Sequence, residues 1–403
     1  MQTQTMAPTL RQLLSDELPA LTALRRDLHR HPELSYQEHR TSQVVQRELA
    51  AAGVEFKAGL GKGTGVIAHL PATSGPARPA VGLRADMDAL PIEERTGKPY
   101  ASCTPGVMHA CGHDGHTTIL IGAARILAKL ERPRPVTFIF QPAEEGGGGG
   151  EVMCNEGALA GDGKGGLGAP VDTIYGLHGW PTFEVGHVAT RPGPLLAATD
   201  DFVVTVKGTQ AHGAYPQYSA DPIVASAHII AALQTIVSRN VGPLDSVVLT
   251  IGAINAGTAD NIIPESVRFI GTMRTLSKAM RILGKKRFYE IVEGTAAALG
   301  CRADIAWHQG YPITANDPAA TARFFTLARA TLGEDRVELV DNPTMGGEDF
   351  SYYGDHAKAC FFFLGLRPKG ATQVPTLHQP DFDFNDDALP TGIEMMVTLA
   401  LKS

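Results

Sequence analysis

The chain has 403 residues, 43% hydrophobic and 19% charged, with a formal net charge of −7. That length exceeds what one core normally holds and predicts two domains. The acidic balance and the lack of any lysine- or arginine-rich run exclude a nucleic-acid surface or a basic membrane patch, and five scattered cysteines (103, 111, 154, 301 and 360) exclude a disulfide framework.

The opening MQTQTMAPTLRQLLSDELPAL has no basic region followed by an apolar one, so it does not read as a secretory signal. No stretch approaches the roughly 20 apolar residues that span a bilayer, and the cytoplasm is the expected location. Apolar residues at helical spacing predict helices over 10–53, broken at His31-Pro32. Strands and helices then alternate. A buried strand runs over 80–88 and ends in acids. A helix over 117–130 carries Ile119, Ala123, Ile126 or Leu127, and Leu130 on one face and is stopped by Pro133 and Pro135. Short apolar runs at 136–140 and 172–177 read as buried strands. This alternation predicts an α/β fold with a mostly parallel sheet.

The pattern then changes. Residues 201–208 alternate with period two, 221–239 are helical from an Asp-Pro start, 246–254 and 266–274 are strands, 278–299 are helical and 302–308 form a strand. The order β-α-β-β-α-β is the ferredoxin-like unit. It predicts a second domain at 191–307 inserted in a first domain made of 1–190 and 308–403, to which the chain returns with a helix near 317–332 and a central strand at 360–366.

The chemistry-bearing residues fall in four motifs: Cys111 and His113 in MHACGHDGH, Glu144 and Glu145 in FIFQPAEEGGGGG, His178 in IYGLH, and His378 in TLHQPDFDFND. Thiolate, imidazole and carboxylate are the donors a zinc-like ion uses. Of two adjacent glutamates, one can bind metal while the other shuttles protons. Each residue alone has an ordinary alternative: cysteine and histidine pack in cores, and adjacent acids commonly occupy solvated turns. Their placement argues otherwise. Glu144-Glu145 follow the strand at 136–140 and His178 the strand at 173–177, on the edge where α/β sheets gather ligands. Cys111 and His113 lie just before a helix, whose N-terminus favours a thiolate. Gly146 to Gly150 read as backbone passing close to a metal or substrate. Asp86 is a strand-end acid suited to orient a ligand histidine, and Asp114 and His116 share the same loop as Cys111. His109 has no argument to raise it. In the inserted domain His212 sits exposed in a glycine-flanked turn, and Asn261 and Arg274 could meet an anionic substrate. The glycine-rich GLGKGTG at 59–65 fits neither a dinucleotide fingerprint nor a phosphate loop, and no G-x-S-x-G elbow is present.

These residues resemble the peptidase M20 family, in particular its amidohydrolase branch of hippurate hydrolases, N-acyl-amino-acid amidohydrolases and auxin-conjugate hydrolases. The resemblance runs nearly end to end, through RRDLHRHPELSYQE, GLRADMDALPI, MHACGHDGH, FQPAEEGGGG, GLHGWP, AHGAYPQYSADPI, NIIPESVRFIGTMRT, GGEDFSYY and LHQPDFDFND. It implies a catalytic domain holding two divalent metals (zinc, manganese, cobalt or nickel) and an inserted lid that dimerises or forms a higher homo-oligomer. It implies Cys111, His113, Glu145, His178 and His378 as metal ligands and Glu144 as general base. It gives His212 the oxyanion, reached from the partner subunit, and Asn261 and Arg274 the substrate carboxylate. The wider family's HxD motif falls at Arg84-Ala85-Asp86, with no histidine ligand. The implied reaction is metal-dependent hydrolysis of the amide of N-acyl or N-aroyl amino acids. The alternatives are a metallo-dipeptidase or carboxypeptidase of the same fold, a non-catalytic metal- or ligand-binding protein, and a structural metal site.

Overall fold

The computed structural model describes residues 9–403. The first helix, α1 (Leu10–Arg30), starts at Thr9, whose hydroxyl accepts the Gln12 N–H. It is followed by α2 (His39–Ala51), the antiparallel strands β1 (Glu55–Leu60) and β2 (Gly65–Leu70), and β3 (Ala80–Asp86). Helix α3 (His113–Leu127), β4 (Val136–Gln141), the short α4 (Gly149–Asn155), β5 (Val171–Glu184) and β6 (Val188–Thr190) complete the first passage.

The inserted elements are β7 (Ala198–Lys207), β8 (Ala211–His212), α5 (Pro222–Thr235), β9 (Val247–Ala256), β10 (Ile262–Ile263), β11 (Ser266–Thr275), α6 (Lys278–Ala298) and β12 (Arg302–Gln309). The chain then returns through α7 (Pro318–Leu332), β13 (Val337–Leu339), β14 (Lys358–Arg367) and α8 (Leu389–Lys402).

Two units result. One comprises residues up to Leu195 with Ala315–Asp341 and Asp349–Ser403; the other comprises Leu196–Thr314 with Asn342–Glu348. The second unit thus begins and ends a few residues later than the 191–307 read from the sequence, and it gains a second segment. That segment joins by backbone pairing, Ala197 N–H to Gly346 O, which no local pattern announces.

In the first unit an eight-stranded sheet has the order β1-β2-β4-β3-β5-β14-β6-β13. Its centre is parallel: β3 pairs with β4 and β5, and β5 with β14. The central strands are buried along their length, which is why they read as continuous apolar runs. Leu28, Val45, Ile119, Ala123, Phe138, Phe362, Ile393 and Val397 join one core between the sheet and its helices.

In the second unit β9-β11-β7-β12 form a four-stranded antiparallel sheet with the ferredoxin-like order. Phe202, Val204 and Val206 alternate inward on β7 and pack with Ile229 and Leu233 of α5 and Phe288 and Val292 of α6. The helical run Pro222–Asn240 is, by length and composition alone, apolar enough to cross a membrane. Its buried face (Ala225, Ile229, Leu233, Ile236) is instead spent on this unit's core.

All five cysteines are free. Residues 1–8, part of the opening segment judged for a leader, lie outside the described residues.

Candidate metal centre

The site is built where β3, β4 and the start of α3 meet. Helix α3 begins at His113, four residues earlier than predicted, because Gly112 caps it at φ 89, a conformation open to glycine at little cost. Cys111 and His113 thus sit on either side of a sharp turn. His178 also departs from expectation. It lies inside β5, not after it, because the strand continues through Trp180 to Glu184 alongside β14.

Four of the five predicted ligands converge tightly, and the fifth reaches them from the surface. Ligand-type atoms of Cys111, His113 and His178 lie within 4.8 Å of one another, as do those of Cys111, Glu145 and His378, and of His113, Glu144 and Glu145. Cys111 Sγ is 3.3 Å from His178 Nε2, and His378 Nε2 is 3.2 Å from Glu145 Oε1. His378 is held in a left-handed conformation (φ 63), with its N–H donated to Ala110 O and its side chain 52% exposed.

The hydrogen bonds around the rings decide which atoms face this cluster. His113 Nδ1 donates to Asp88 Oδ1 (3.2 Å), and His178 Nδ1 donates to Gly179 O (2.8 Å). Both rings therefore present Nε2 to the cluster. Among the described residues His113 Nε2 is buried with no hydrogen-bond partner, and Asp86 Oδ1 is 3.9 Å away. His116 differs: it donates from Nδ1 to Asp86 (2.7 Å) and accepts the Gly179 N–H at Nε2 (2.7 Å), so neither nitrogen is open to an ion. Asp86 is occupied too, by His116 and by Arg84 Nη1 at 2.6 Å. The cluster of Asp86, His113 and His116 is thus a hydrogen-bonded support. Asp86 orients His116, and the acid that orients His113 is Asp88, which sequence reasoning passed over although it stands two residues on in the same RADMD motif.

Asp88 does more. Its Oδ1 accepts the Glu144 N–H and its Oδ2 the Glu145 N–H, each at 3.0 Å, which seats both glutamates at the end of β4. The Asp349 N–H reaches Glu144 Oε1 at 3.3 Å. The glycine run serves this turn: a Cβ on Gly149 would fall 1.7 Å from Pro142 O, so only glycine lets α4 start there. Asp114 belongs elsewhere, in a buried network with His29 and Arg25.

The electrostatics invert the helix-terminus argument for Cys111. Burial, then Glu145 and Glu144, push its thiol well above the usual range, outweighing the nearby helix start. Burial and the neighbouring His116 hold His178 well below the histidine range. Against the penalty of burial, Asp86 and Asp88 lift His113 to about 10. A buried thiol and imidazole that share carboxylate neighbours, with one ring nitrogen unpartnered, fit a divalent cation, which replaces those protons. The donor set could hold such an ion.

The remaining site residues lie in the second unit. His212 on β8 pairs in register with Ile262 of β10 and is exposed; its Nδ1 accepts the Ala214 N–H (3.0 Å). Asn261 is brought beside it, its backbone O accepting the Gly213 N–H (2.7 Å). Arg274 lies on β11, opposite Thr199 and Val248.

A carboxylate seated beside mixed sulfur, nitrogen and oxygen donors, on a mostly parallel sheet, is the layout of a metallohydrolase. The model of the peptidase family M20/M25/M40 matches residues 82–402. The chain is 42% identical to the N-acetyl-L-cysteine deacetylase of Bacillus subtilis, over 86% of this chain and 80% of that protein. It is 38% identical to the IAA-amino acid hydrolase ILR1-like 4 of Arabidopsis thaliana, over 95% and 85%. A solved Bacillus subtilis structure, a dinuclear metal-binding peptidase of the M20 family, superposes with a TM-score of 0.80 at 33% identity, covering 96% of this chain and 98% of that one. The chain belongs to the M20 family and is a metal-dependent amidohydrolase of it.

Proposed function

We propose that the protein hydrolyses the amide bond of N-acyl or N-aroyl amino acids, releasing a carboxylic acid and a free amino acid. One observation carries this reading: two adjacent carboxylates, Glu144 and Glu145, share the buried His113 as a neighbour, and Glu144, hydrogen-bonded by the Asp349 N–H, is one more than the five residues assigned as ligands. Binding alone has no need of such a second carboxylate. The relatives named for deacetylation of N-acetyl-L-cysteine and for hydrolysis of IAA-amino acids support the substrate class.

Cys111, His113, Glu145, His178 and His378 would hold two divalent ions, zinc, manganese, cobalt or nickel, which when bound acidify water and polarise the amide carbonyl. Glu144 accepts the proton of the attacking water and later gives it to the leaving amine. Asp88 keeps Glu144 and Glu145 side by side. His212 accepts at Nδ1, so its neutral ring donates from Nε2; that supports its assignment to the oxyanion, supplied from a partner subunit. Asn261 and Arg274 are assigned to the substrate carboxylate.

A homodimer is proposed through the second unit. Among the described residues strand β9 is paired on one side only; it exposes Val248 and Ile254, and α5 exposes Ile223 and Val224. Light scattering behind size-exclusion chromatography reads it directly.

The decisive experiment is a hydrolysis screen on chelated and then metal-reloaded protein, with hippurate, N-acetyl amino acids, auxin-type conjugates and unblocked dipeptides. Metal-restored release of amino acid from N-acyl substrates is the expected result. Cleavage of dipeptides alone would replace this reading with a peptidase.

A further inference from the structure

We propose that Glu38 is a positioning residue for the catalytic base, holding the turn that carries Glu144 from the start of a helix 105 positions before Ala143. The inference rests on the reading of Glu144 as that base.

Glu38 stands just before α2, whose first N–H groups are accepted by Glu33 and not by it; it is fully buried, yet among the described residues no cation pairs with it. A carboxylate buried without a counter-charge costs stability, so its presence calls for a geometric account. Its bonds supply one. Oε1 accepts two backbone donors at 2.9 Å each, the Tyr36 N–H and the Ala143 N–H, and Oε2 accepts the Thr64 hydroxyl at 2.8 Å.

Both backbone donors come from residues in the left-handed region, Tyr36 at φ 62 and Ala143 at φ 56. A residue bearing a Cβ holds that conformation only when its surroundings over-determine it. Ala143 immediately precedes Glu144, so the angle at Ala143 sets the direction in which the base leaves β4.

The neighbours of Glu38 close the other end of the turn. The Tyr36 hydroxyl donates to Gly147 O at 2.7 Å. The Ser35 hydroxyl donates to Asp88 Oδ2 at 2.7 Å, the oxygen that also accepts the Glu145 N–H. Residues 35–38 therefore clamp the Ala143–Gly147 turn at its entry, its middle and its exit, while none of them is among the ligand-type donors. Release of Glu38 lets Ala143 relax to an ordinary angle and swings Glu144 by a distance of the order of 1 Å, a misplacement worth about 100-fold in rate.

The test compares metal-reloaded wild type with Glu38→Ala, Glu38→Gln and Tyr36→Phe. It measures kcat, KM, metal content and amide hydrogen exchange across residues 141–150. Glu38→Ala should lose about 30- to 100-fold in kcat, with KM and metal content retained and faster exchange over 143–147. Glu38→Gln should stay within about threefold of wild type, because its amide oxygen accepts the same two N–H groups and its NH2 can donate to Thr64. Tyr36→Phe should lower kcat several-fold.

A folded Glu38→Ala with wild-type kcat, or with unchanged exchange over 143–147, overturns the proposal, as does a loss of rate fully explained by lost metal. Should Glu38→Ala fail to fold, Tyr36→Phe decides, and wild-type kcat and exchange in that variant overturn the proposal. If the wild type hydrolyses no amide with any metal, the proposed function fails, while the exchange comparison still tests the clamp.

Discussion

Asp88 Oδ1 lies 3.2 Å from Nδ1 of His113 and accepts the Glu144 N–H at 3.0 Å, so one carboxylate oxygen couples a ligand-type histidine to the glutamate proposed as the general base. In Asp88→Asn the side-chain NH2 must face either the Glu145 N–H or the His113 Nδ1–H, donor against donor. The loss of such an outer partner costs 10- to 100-fold in metal affinity or activity on the usual scale. Chelator competition should show metal affinity about 10-fold or more weaker in this variant. Wild-type affinity would mean that Asp88 does not hold His113 for the metal.

Glu144→Gln should keep its metal, because Glu145, Cys111 and the histidines are untouched, and should lose at least about 100-fold in kcat, the scale for a general base. Metal analysis beside steady-state kinetics separates the two. A variant with near-normal turnover ends the assignment of Glu144 as base.

Metal uptake should release protons. Burial and the flanking glutamates keep the Cys111 thiol protonated through the neutral range, and His113 is held at about 10, so both must lose a proton when an ion arrives. Calorimetry in buffers of different ionisation enthalpy should count the release at pH 7. Cys111→Ala should lower both the count and the affinity. An unchanged count would take Cys111 out of the ligand set.

A separate pH effect is expected on stability. His29 Nδ1 is 2.8 Å from Asp114 Oδ2 and its Nε2 is 3.3 Å from Glu94 Oε1; despite burial, Asp114 first and then Glu94 raise its pKa to about 9. A histidine raised above its ordinary 6.5 stabilises the fold fully below that value, and the contribution is lost as pH climbs to 9. The shift corresponds to about 3 kcal/mol at most. Tm should therefore fall between pH 6.5 and 9. His29→Gln should start lower and show a much flatter profile over the same interval. An equal decline in both proteins would assign the effect to other groups.

Much of the fold was legible in the sequence because its signals are local. Continuous apolar runs marked β3, β4 and β14 as central parallel strands, and the switch to period two at β7 marked the inserted unit. Element ends were less legible. His113 begins α3 because Gly112 takes a positive φ, and His178 lies within a strand prolonged by its pairing with β14; neither cause appears as a periodicity.

The sequence by itself supplied the candidate donors: Cys111, His113, Glu144, Glu145, His178 and His378 are residue types able to bind a metal or carry a proton, each standing in a motif at or near a strand end or helix start. Only the tertiary structure decided how those donors are aimed. Asp86 and Asp88 are both acids of one strand end, and spacing does not say that the first turns to His116 and the second to His113. Glu38 is an ordinary acid at a helix start until the fold brings Ala143 to it. Residue type fixes what an atom can donate or accept. Which atom it meets depends on packing between segments distant in the chain, and that information exists only once the core has closed around them.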